Sequence, residues 1–172
     1  MRVLGIDPGT VRMGYGLLEG ESKLIEYGVL VAKGHQSLGE RLLYLFNQLL
    51  VLLDRLEPVE VAVEEPFAGR NIRSAFAVGQ AQAMALMAAA ARELPIHGYP
   101  PAQVKKAVAG YGAGSKDQVQ EMVRLQLGLT ETSQSHDAFD AVAVALCHLR
   151  QRHIANLLLA ATRSTARRGE KL

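Results

Sequence analysis

Four carboxylate side chains lie where predicted elements begin or end: Asp7, Glu64, Asp137 and Asp140. Asp7 and Glu64 each follow a short apolar run that is typical of a strand. Asp137 and Asp140 are three residues apart at the start of a predicted helix, which places them on one helical face. If the fold gathers these acids at one edge of a sheet, they form an all-oxygen site for two divalent cations. Such a pair can hydrolyse a phosphodiester bond, so the pattern predicts a metal-dependent nuclease.

Each of these acids also has a purely structural interpretation. Residues 7–9, Asp-Pro-Gly, are typical of a turn, and acids in the first turn of a helix stabilise the helix dipole. Glu64 follows residues 61–63, which are apolar and typical of a buried strand. A carboxylate next to such a strand needs a partner. Because side chains alternate across a strand, only one of Glu64 and Glu65 can face Asp7, and the spacing leaves that choice open.

The elements that must position these acids begin with three strand-like segments. They are short, rich in Val, Leu, Ile and Tyr, and separated by turn residues: Arg2–Asp7, Met13–Glu19 and Lys23–Ala32. Their short connections predict an antiparallel meander. Ser37 and Glu40 then form a capping box, and leucines at helical spacing predict an amphipathic helix that ends before Pro58.

A strand, a helix and a second strand follow. The pattern predicts a strand at Val59–Glu64, a long alanine-rich helix at Arg73–Glu93 and a short strand at Ile96–Tyr99. This succession predicts parallel additions to the sheet with a right-handed connection. A membrane helix over residues 75–91 is an alternative, but polar residues interrupt this stretch, which is shorter than the roughly 20 apolar residues that a bilayer requires. We therefore predict a buried central helix whose small residues can also form a dimer contact.

Three further helices complete the predicted fold. Helix signals span residues 101–110, then 115–128 with Ser115 as the cap, and finally residues 135 to about 152 with Ser135 as the cap. We expect an α/β domain over residues 1–152, with a five-stranded mixed sheet of three antiparallel strands and two parallel additions, flanked by helices. The composition of residues 153–172 predicts a basic, flexible tail with weak affinity for a polyanion.

Composition sets the outer limits of these predictions. The chain has 172 residues, of which 49% are hydrophobic, and this suffices for one domain with a core. A net charge of +2 is too small for a uniformly basic protein, so a nucleic-acid surface requires local clustering of charge. The single cysteine, Cys147, excludes an internal disulfide and fits a reducing compartment. No signal peptide is visible at the N-terminus, and we expect a cytoplasmic protein.

Taken together, the motifs resemble one known family. The matching segments, in order and with suitable spacing over residues 1–150, are Gly5–Thr10, Gly14–Gly16, Ala62–Glu64 with Phe67 and Asn71, Gly79–Ala81, Gln103–Lys105, Lys116 with Gln118-Val119, and Asp137–Ala141. This series resembles the bacterial Holliday junction resolvases of the RuvC family, within the ribonuclease H-like superfamily.

The resemblance implies a ribonuclease H-like fold and a homodimer that resolves Holliday junctions by paired symmetric nicks, in homologous recombination and DNA repair. It assigns catalytic and metal-binding roles to Asp7, Glu64, Asp137 and Asp140, and so favours Glu64 over Glu65. It also implies two Mg²⁺ ions in each active site, with Mn²⁺ able to substitute. The implied partner, besides the four-way DNA junction, is the branch-migration motor formed by RuvA and RuvB.

Five residues are predicted to contact DNA: Phe67, Arg70, Arg73, Lys105 and Lys116. By pattern alone, Phe67 is more typical of a core and the lysines of a solvated helix surface. In the loop that follows Glu64, Phe67 stands beside Arg70 and Arg73, which suits stacking on an exposed base while the arginines hold phosphates. The resemblance implies a base-contacting aromatic at Phe67, and Lys105 and Lys116 match basic positions of the family. His136 stands next to Asp137 and is held as the alternative ligand at the second metal position.

Three other classes of protein share parts of this pattern. An actin-like or sugar-kinase ATPase shares the Asp-Gly-Thr hairpin but needs a second phosphate-binding hairpin and a much longer chain. Residues 110–116 are glycine-rich but lack the Walker spacing, so we reject nucleotide binding. A catalytically silent junction binder would lack the carboxylates that this chain retains. The alternative function is that of a ribonuclease H-like nuclease that acts on RNA or on another branched DNA. Only the family match distinguishes this alternative from a Holliday junction resolvase.

Overall fold

Strands from two parts of the chain form one mixed sheet, and helices cover both of its faces. The computed structural model describes residues 1–67, 72–110, 116–128 and 135–169, without the side chains of residues 116, 161 and 163–169. Its elements, in chain order, are β1 (Arg2–Asp7), β2 (Arg12–Glu19), β3 (Lys23–Val31), α1 (Leu38–Leu56), β4 (Glu60–Glu64), α2 (Ile72–Ala90), β5 (Ile96–Tyr99), α3 (Pro101–Ala109), α4 (Lys116–Leu127) and α5 (His136–Gly169).

The strand order is β3-β2-β1-β4-β5. The first three strands pair antiparallel, and β4 and β5 add in parallel, which confirms the predicted mixed sheet. In the β1–β4 ladder, Ile6 lies opposite Val63. Asp7 and Glu64 therefore end neighbouring parallel strands at the same edge, where open α/β sheets place their sites.

The two faces of the sheet belong to two different cores. Leu4 and Val63 pack with the leucines of α1 and the alanines of α2. Val3 and Ala62 pack on the other face, against residues of α3, α4 and α5. Because side chains alternate along a strand, Asp7 lies on the same face as Val3, and Glu64 on the same face as Ala62. Both acids therefore lie on the face that α5 covers.

Glycines in β1 and β2 allow α5 to lie directly on the sheet. A Cβ atom on Gly14 would overlap the carbonyl oxygen of Asp137, and one on Gly5 would overlap that of Ala141. A Cβ atom on Gly16 would overlap the side chain of Val142. Because these positions lack side chains, the first turn of α5 reaches the strand edge where Asp7 ends.

The capping box predicted at the start of α1 is confirmed. Ser37 Oγ accepts a hydrogen bond from the Glu40 backbone amide at 3.4 Å, and Glu40 Oε2 accepts one from the Ser37 amide at 2.8 Å, which is the predicted capping box. Ser135 immediately precedes α5, as predicted. Ser115, the predicted cap of α4, lies outside the described residues.

Two helices differ from their predictions. The last helix extends to Gly169 rather than ending near Arg152, because no Gly or Pro interrupts the alanine- and leucine-rich residues 153–168. The division of the chain at residue 152 stays a prediction.

The predicted burial of α2 holds for its alanine face only. Phe76 and Met87 are 71% and 54% exposed on the other side. Within the described part of the chain, no helix combines the length and the apolarity needed to cross a bilayer.

Candidate active site

Two cavities at the carboxyl edge of the sheet share Glu64. Asp7 and Phe67 line the first cavity together with Glu64. Asp140 and Lys105 line the second, again with Glu64. Three of the four predicted acids, from β1, β4 and α5, therefore surround one region, and all three are only partly buried. The predicted convergence of Asp7, Glu64 and Asp140 is present in the fold.

The geometry also distinguishes Glu64 from Glu65. Both side chains line the first cavity. Glu65, however, extends over β5, where its carboxylate occupies the space that a side chain on Gly98 would need. Glu64 lies on the face covered by α5 and shares the second cavity with Asp140. The alternation of the strand thus directs Glu64 towards the other acids, as the resemblance implied.

Asp137, the fourth predicted acid, lies in the first turn of α5 and is bound to Arg12 of β2. Arg12 Nε lies 2.7 Å from Asp137 Oδ2, and its Nη2 donates to Ser135 Oγ at 2.8 Å. Ser135 Oγ in turn donates to Asp137 Oδ2 at 3.2 Å. The side chains of Arg12 and Asp137 are 49% and 31% exposed. Such solvent-exposed pairs contribute little stability, so this ion pair can open when another cation is present.

His136 is connected to Asp140 through a glutamine. His136 Nδ1 lies 2.6 Å from Gln120 Oε1, and Gln120 Nε2 donates to Asp140 Oδ1 at 3.3 Å. With the amide oriented this way, His136 Nδ1 carries the proton, and Nε2 of the neutral ring is the acceptor. His136 is exposed, so both it and Asp137 stand at the rim of the site.

The predicted DNA-contact residues divide into three groups. Phe67 is 74% exposed beside the acids, so the interpretation of this residue as part of the core is wrong. Arg73 is exposed on the first turn of α2, and Lys105 lines the cavity with Glu64 and Asp140. Arg70 and the side chain of Lys116 lie outside the described part of the structure.

Sequence reasoning missed several polar residues. Arg12 and Gln120 meet the acids across 125 and 20 residues of chain, respectively, so no local spacing reveals them. Glu60 and His148 form a buried pair at the opposite end of the same sheet face. The sequence pattern could have revealed both residues. Glu60 is a polar residue at an inward-facing position of β4, and His148 is a polar residue inside the apolar run of α5. Burial lowers the pKa of His148 to about 4, which keeps its ring neutral at neutral pH.

Known proteins are similar to this chain over most of its length. Residues 3–148 match the family described as crossover junction endodeoxyribonuclease RuvC. The protein of that name from Dehalococcoides mccartyi is 48% identical over 161 residues, which cover 92% of this chain and 96% of the relative. The one from Chloroflexus aurantiacus is 50% identical over 151 residues, which cover 86% and 92%.

A solved structure extends this similarity to the fold. It is described as T. thermophilus RuvC in complex with Holliday junction substrate. It superposes with a TM-score of 0.82 at 36% sequence identity, covering 90% of this chain and 96% of that chain. The sheet described above is therefore ribonuclease H-like, and the chain belongs to the RuvC family of crossover junction endodeoxyribonucleases.

Proposed function

We propose that this protein is a metal-dependent endonuclease that resolves Holliday junctions by paired symmetric nicks in homologous recombination and DNA repair. The observation that carries this proposal is the convergence of Asp7, Glu64 and Asp140 around adjoining cavities at the carboxyl edge of the sheet. Membership of the RuvC family favours a DNA junction over RNA or another branched DNA as the substrate.

The donor atoms of this site fit magnesium. Asp7, Glu64 and Asp140 offer only carboxylate oxygens, the ligand type that favours Mg²⁺ or Mn²⁺ over zinc. We infer that these three residues and Asp137 hold two such ions, with His136 as the alternative to Asp137. When bound, the ions supply an activated water and stabilise the leaving oxygen. Because crowded carboxylates repel one another, the site favours cations before any substrate arrives.

Positively charged and aromatic side chains around the acids are suited to hold DNA. Lys105 places an ammonium group in the cavity with Glu64 and Asp140, where it can bind a phosphate next to the reacting bond. Phe67, exposed beside Asp7, can stack on an unpaired base. Arg73 can bind the backbone nearby. Arg70 joins this proposed surface because it follows Phe67 closely in the sequence, and Lys116 because it matches a basic position of the family.

The active protein, in this proposal, is a homodimer, because two like strands must be nicked in a symmetric way. The exposed apolar side of α2, with Phe76, Leu86 and Met87, offers a surface for that contact. We further propose RuvA and RuvB as partners and the cytoplasm as the location. The buried, unpaired Cys147 is compatible with a reducing compartment.

Cleavage assays on matched substrates test the proposed function. The purified protein is incubated with a synthetic four-way junction, a linear duplex and an RNA–DNA hybrid, with Mg²⁺ or with a chelator. We expect paired nicks in the junction alone, and only with the metal. Equal cleavage of the linear duplex or the hybrid would instead support the alternative substrates, and cleavage in chelator would exclude the metal-dependent mechanism.

Single substitutions distinguish Asp137 from His136 as the ligand of the second metal ion. If Asp137 is the ligand, Asp137→Asn raises the Mg²⁺ concentration needed for half-maximal cleavage by about tenfold or more, whereas His136→Gln changes it little. The opposite ranking would assign the metal position to His136. Junction binding without metal, measured by fluorescence anisotropy, serves as the control that each variant is folded.

A further inference from the structure

A second set of metal-ligating side chains lies on the same sheet face, away from the four acids. It consists of Glu60 on β4, His97 on β5 and His148 on α5, and one ligand atom from each lies within 4.8 Å of the others. Glu60 precedes Glu64 by four residues, or about 13 Å of strand. The cluster therefore shares no side chain with the proposed nuclease site.

The distances within this cluster are close to those of a metal site. Glu60 Oε2 lies 3.4 Å from His97 Nε2 and 2.7 Å from His148 Nε2. Tetrahedral zinc with bonds of about 2.0–2.1 Å places its ligand atoms about 3.3 Å apart. The first distance already matches that spacing, and the second requires an opening of about 0.6 Å. That second contact joins Glu60 to the buried His148, so the Glu60 carboxylate must make this adjustment. His97 is 44% exposed, which gives an ion a path from solvent.

We propose that Glu60, His97 and His148 form a binding site for a borderline divalent cation of the zinc class, separate from the nuclease centre. Two imidazoles and one carboxylate are a donor set that suits zinc, whereas the acids at the other edge suit magnesium. Three protein ligands leave a fourth position for water. The bound ion links β4, β5 and α5 at the amino end of the parallel strands.

Neighbouring groups support the ligands in the manner typical of metal sites. Tyr99 Oη lies 2.8 Å from His148 Nδ1, so the nitrogen that does not face the cluster is held by a hydrogen bond. When Nε2 binds the ion, Nδ1 carries the proton and donates it to the tyrosine oxygen. Arg152 binds Glu60 through Oε1, which leaves Oε2 directed at the two imidazoles. His148 is 1% exposed, so its position is fixed by packing.

Without an ion, the same atoms form a hydrogen-bond network. Neutral His148 donates from Nε2 to Glu60 and accepts the tyrosine proton at Nδ1. When the ion takes the place of the Nε2 proton, that proton moves to Nδ1, so the ring stays neutral and only its tautomer changes. Metal binding must consequently be measured directly, because activity at the other edge of the sheet does not depend on it.

Cobalt absorption distinguishes the two kinds of site on the full-length protein. Co²⁺ is titrated in the presence of excess Mg²⁺, since a four-coordinate Co²⁺ site absorbs strongly in the visible range whereas an octahedral carboxylate site absorbs weakly. We expect a strong band that saturates at one equivalent per chain. Zinc, added next, should remove the band by displacement and raise the melting temperature.

Matched variants complete the test. His97→Asn changes a half-exposed side chain, leaves the fold intact by circular dichroism, and should weaken binding at least about tenfold, with loss of the band. Glu60→Gln should act in the same way. His35→Asn removes an exposed histidine elsewhere and should change nothing. A weak band alone, or a strong band that survives His97→Asn, would overturn the proposal.

Discussion

The two ends of the face covered by α5 are built by the same elements but hold opposite kinds of chemistry. At the carboxyl edge, Asp7, Glu64 and Asp140 line two open cavities that share Glu64. At the amino end, Glu60 is surrounded by partners, which are His148, His97 and Arg152. Along α5, Asp140 and His148 are separated by about 12 Å.

The difference lies in what holds each group of side chains in place. At the carboxyl edge, the close packing of α5 on Gly5, Gly14 and Gly16 brings Asp140 to the ends of β1 and β4. The cluster at the amino end is held by its own hydrogen bonds. We therefore expect that neutralising an acid at the first end removes activity without lowering stability, and that disrupting the second end lowers stability without removing activity.

The largest expected effect is that of Asp7→Asn. Replacing a metal-binding carboxylate with an amide should reduce junction cleavage by at least about a hundredfold, because it removes charge from the metal site. The free energy of unfolding should stay within about 1 kcal/mol of the original value, since Asp7 is only partly buried and asparagine keeps the shape of the side chain. Cleavage rates and urea denaturation measure the two quantities. Retained cleavage would remove Asp7 from the mechanism.

Gly14→Ala tests whether close packing positions the acids. The added Cβ overlaps the carbonyl oxygen of Asp137, so the first turn of α5 must move away from β2. We expect a loss of about 1–3 kcal/mol in the free energy of unfolding together with a clear loss of cleavage. Gly39→Ala, at an exposed position of α1 with open space for the Cβ, is the control and should be neutral or slightly stabilising. If both variants behave alike, the glycine packing does not position the site.

Glu60→Ala tests the amino end in the presence of chelator, so that only hydrogen bonds are removed. The variant leaves the buried His148 Nε2 without its acceptor, and the free energy of unfolding should fall by about 1–3 kcal/mol. Junction cleavage, measured well below the melting temperature with Mg²⁺ restored, should be nearly unchanged. Glu21→Ala in the exposed β2–β3 turn is the matched control, with an expected change below about 0.5 kcal/mol. A large loss of cleavage would show that the two ends are coupled.

Arg12→Gln should have the smallest effect on stability. Its ion pair with Asp137 is solvent-exposed, so the free energy of unfolding should change by less than about 1 kcal/mol. Because Arg12 competes with cations for this carboxylate, the Mg²⁺ concentration for half-maximal cleavage should decrease. An unchanged Mg²⁺ dependence would indicate that Asp137 does not bind the metal, and would support His136 as the ligand in its place.

The sequence by itself determined the local elements and the residue types of the nuclease site. The capping box at Ser37, the strand patterns and the helical leucines were sufficient to predict the mixed sheet, because short-range periodicity follows directly from backbone geometry. The position of Asp7 and Glu64 at strand ends also followed from local pattern. The family motifs then indicated which acids to group.

Only the tertiary structure decided how distant side chains meet. It directed Glu64 rather than Glu65 towards Asp140, exposed Phe67, and extended α5 to Gly169. It also joined Arg12 to Asp137, and Glu60 to His97 and His148, across long separations in the chain. Local spacing cannot encode these contacts, because they arise from the register of parallel strands and from the close approach of one helix to the sheet.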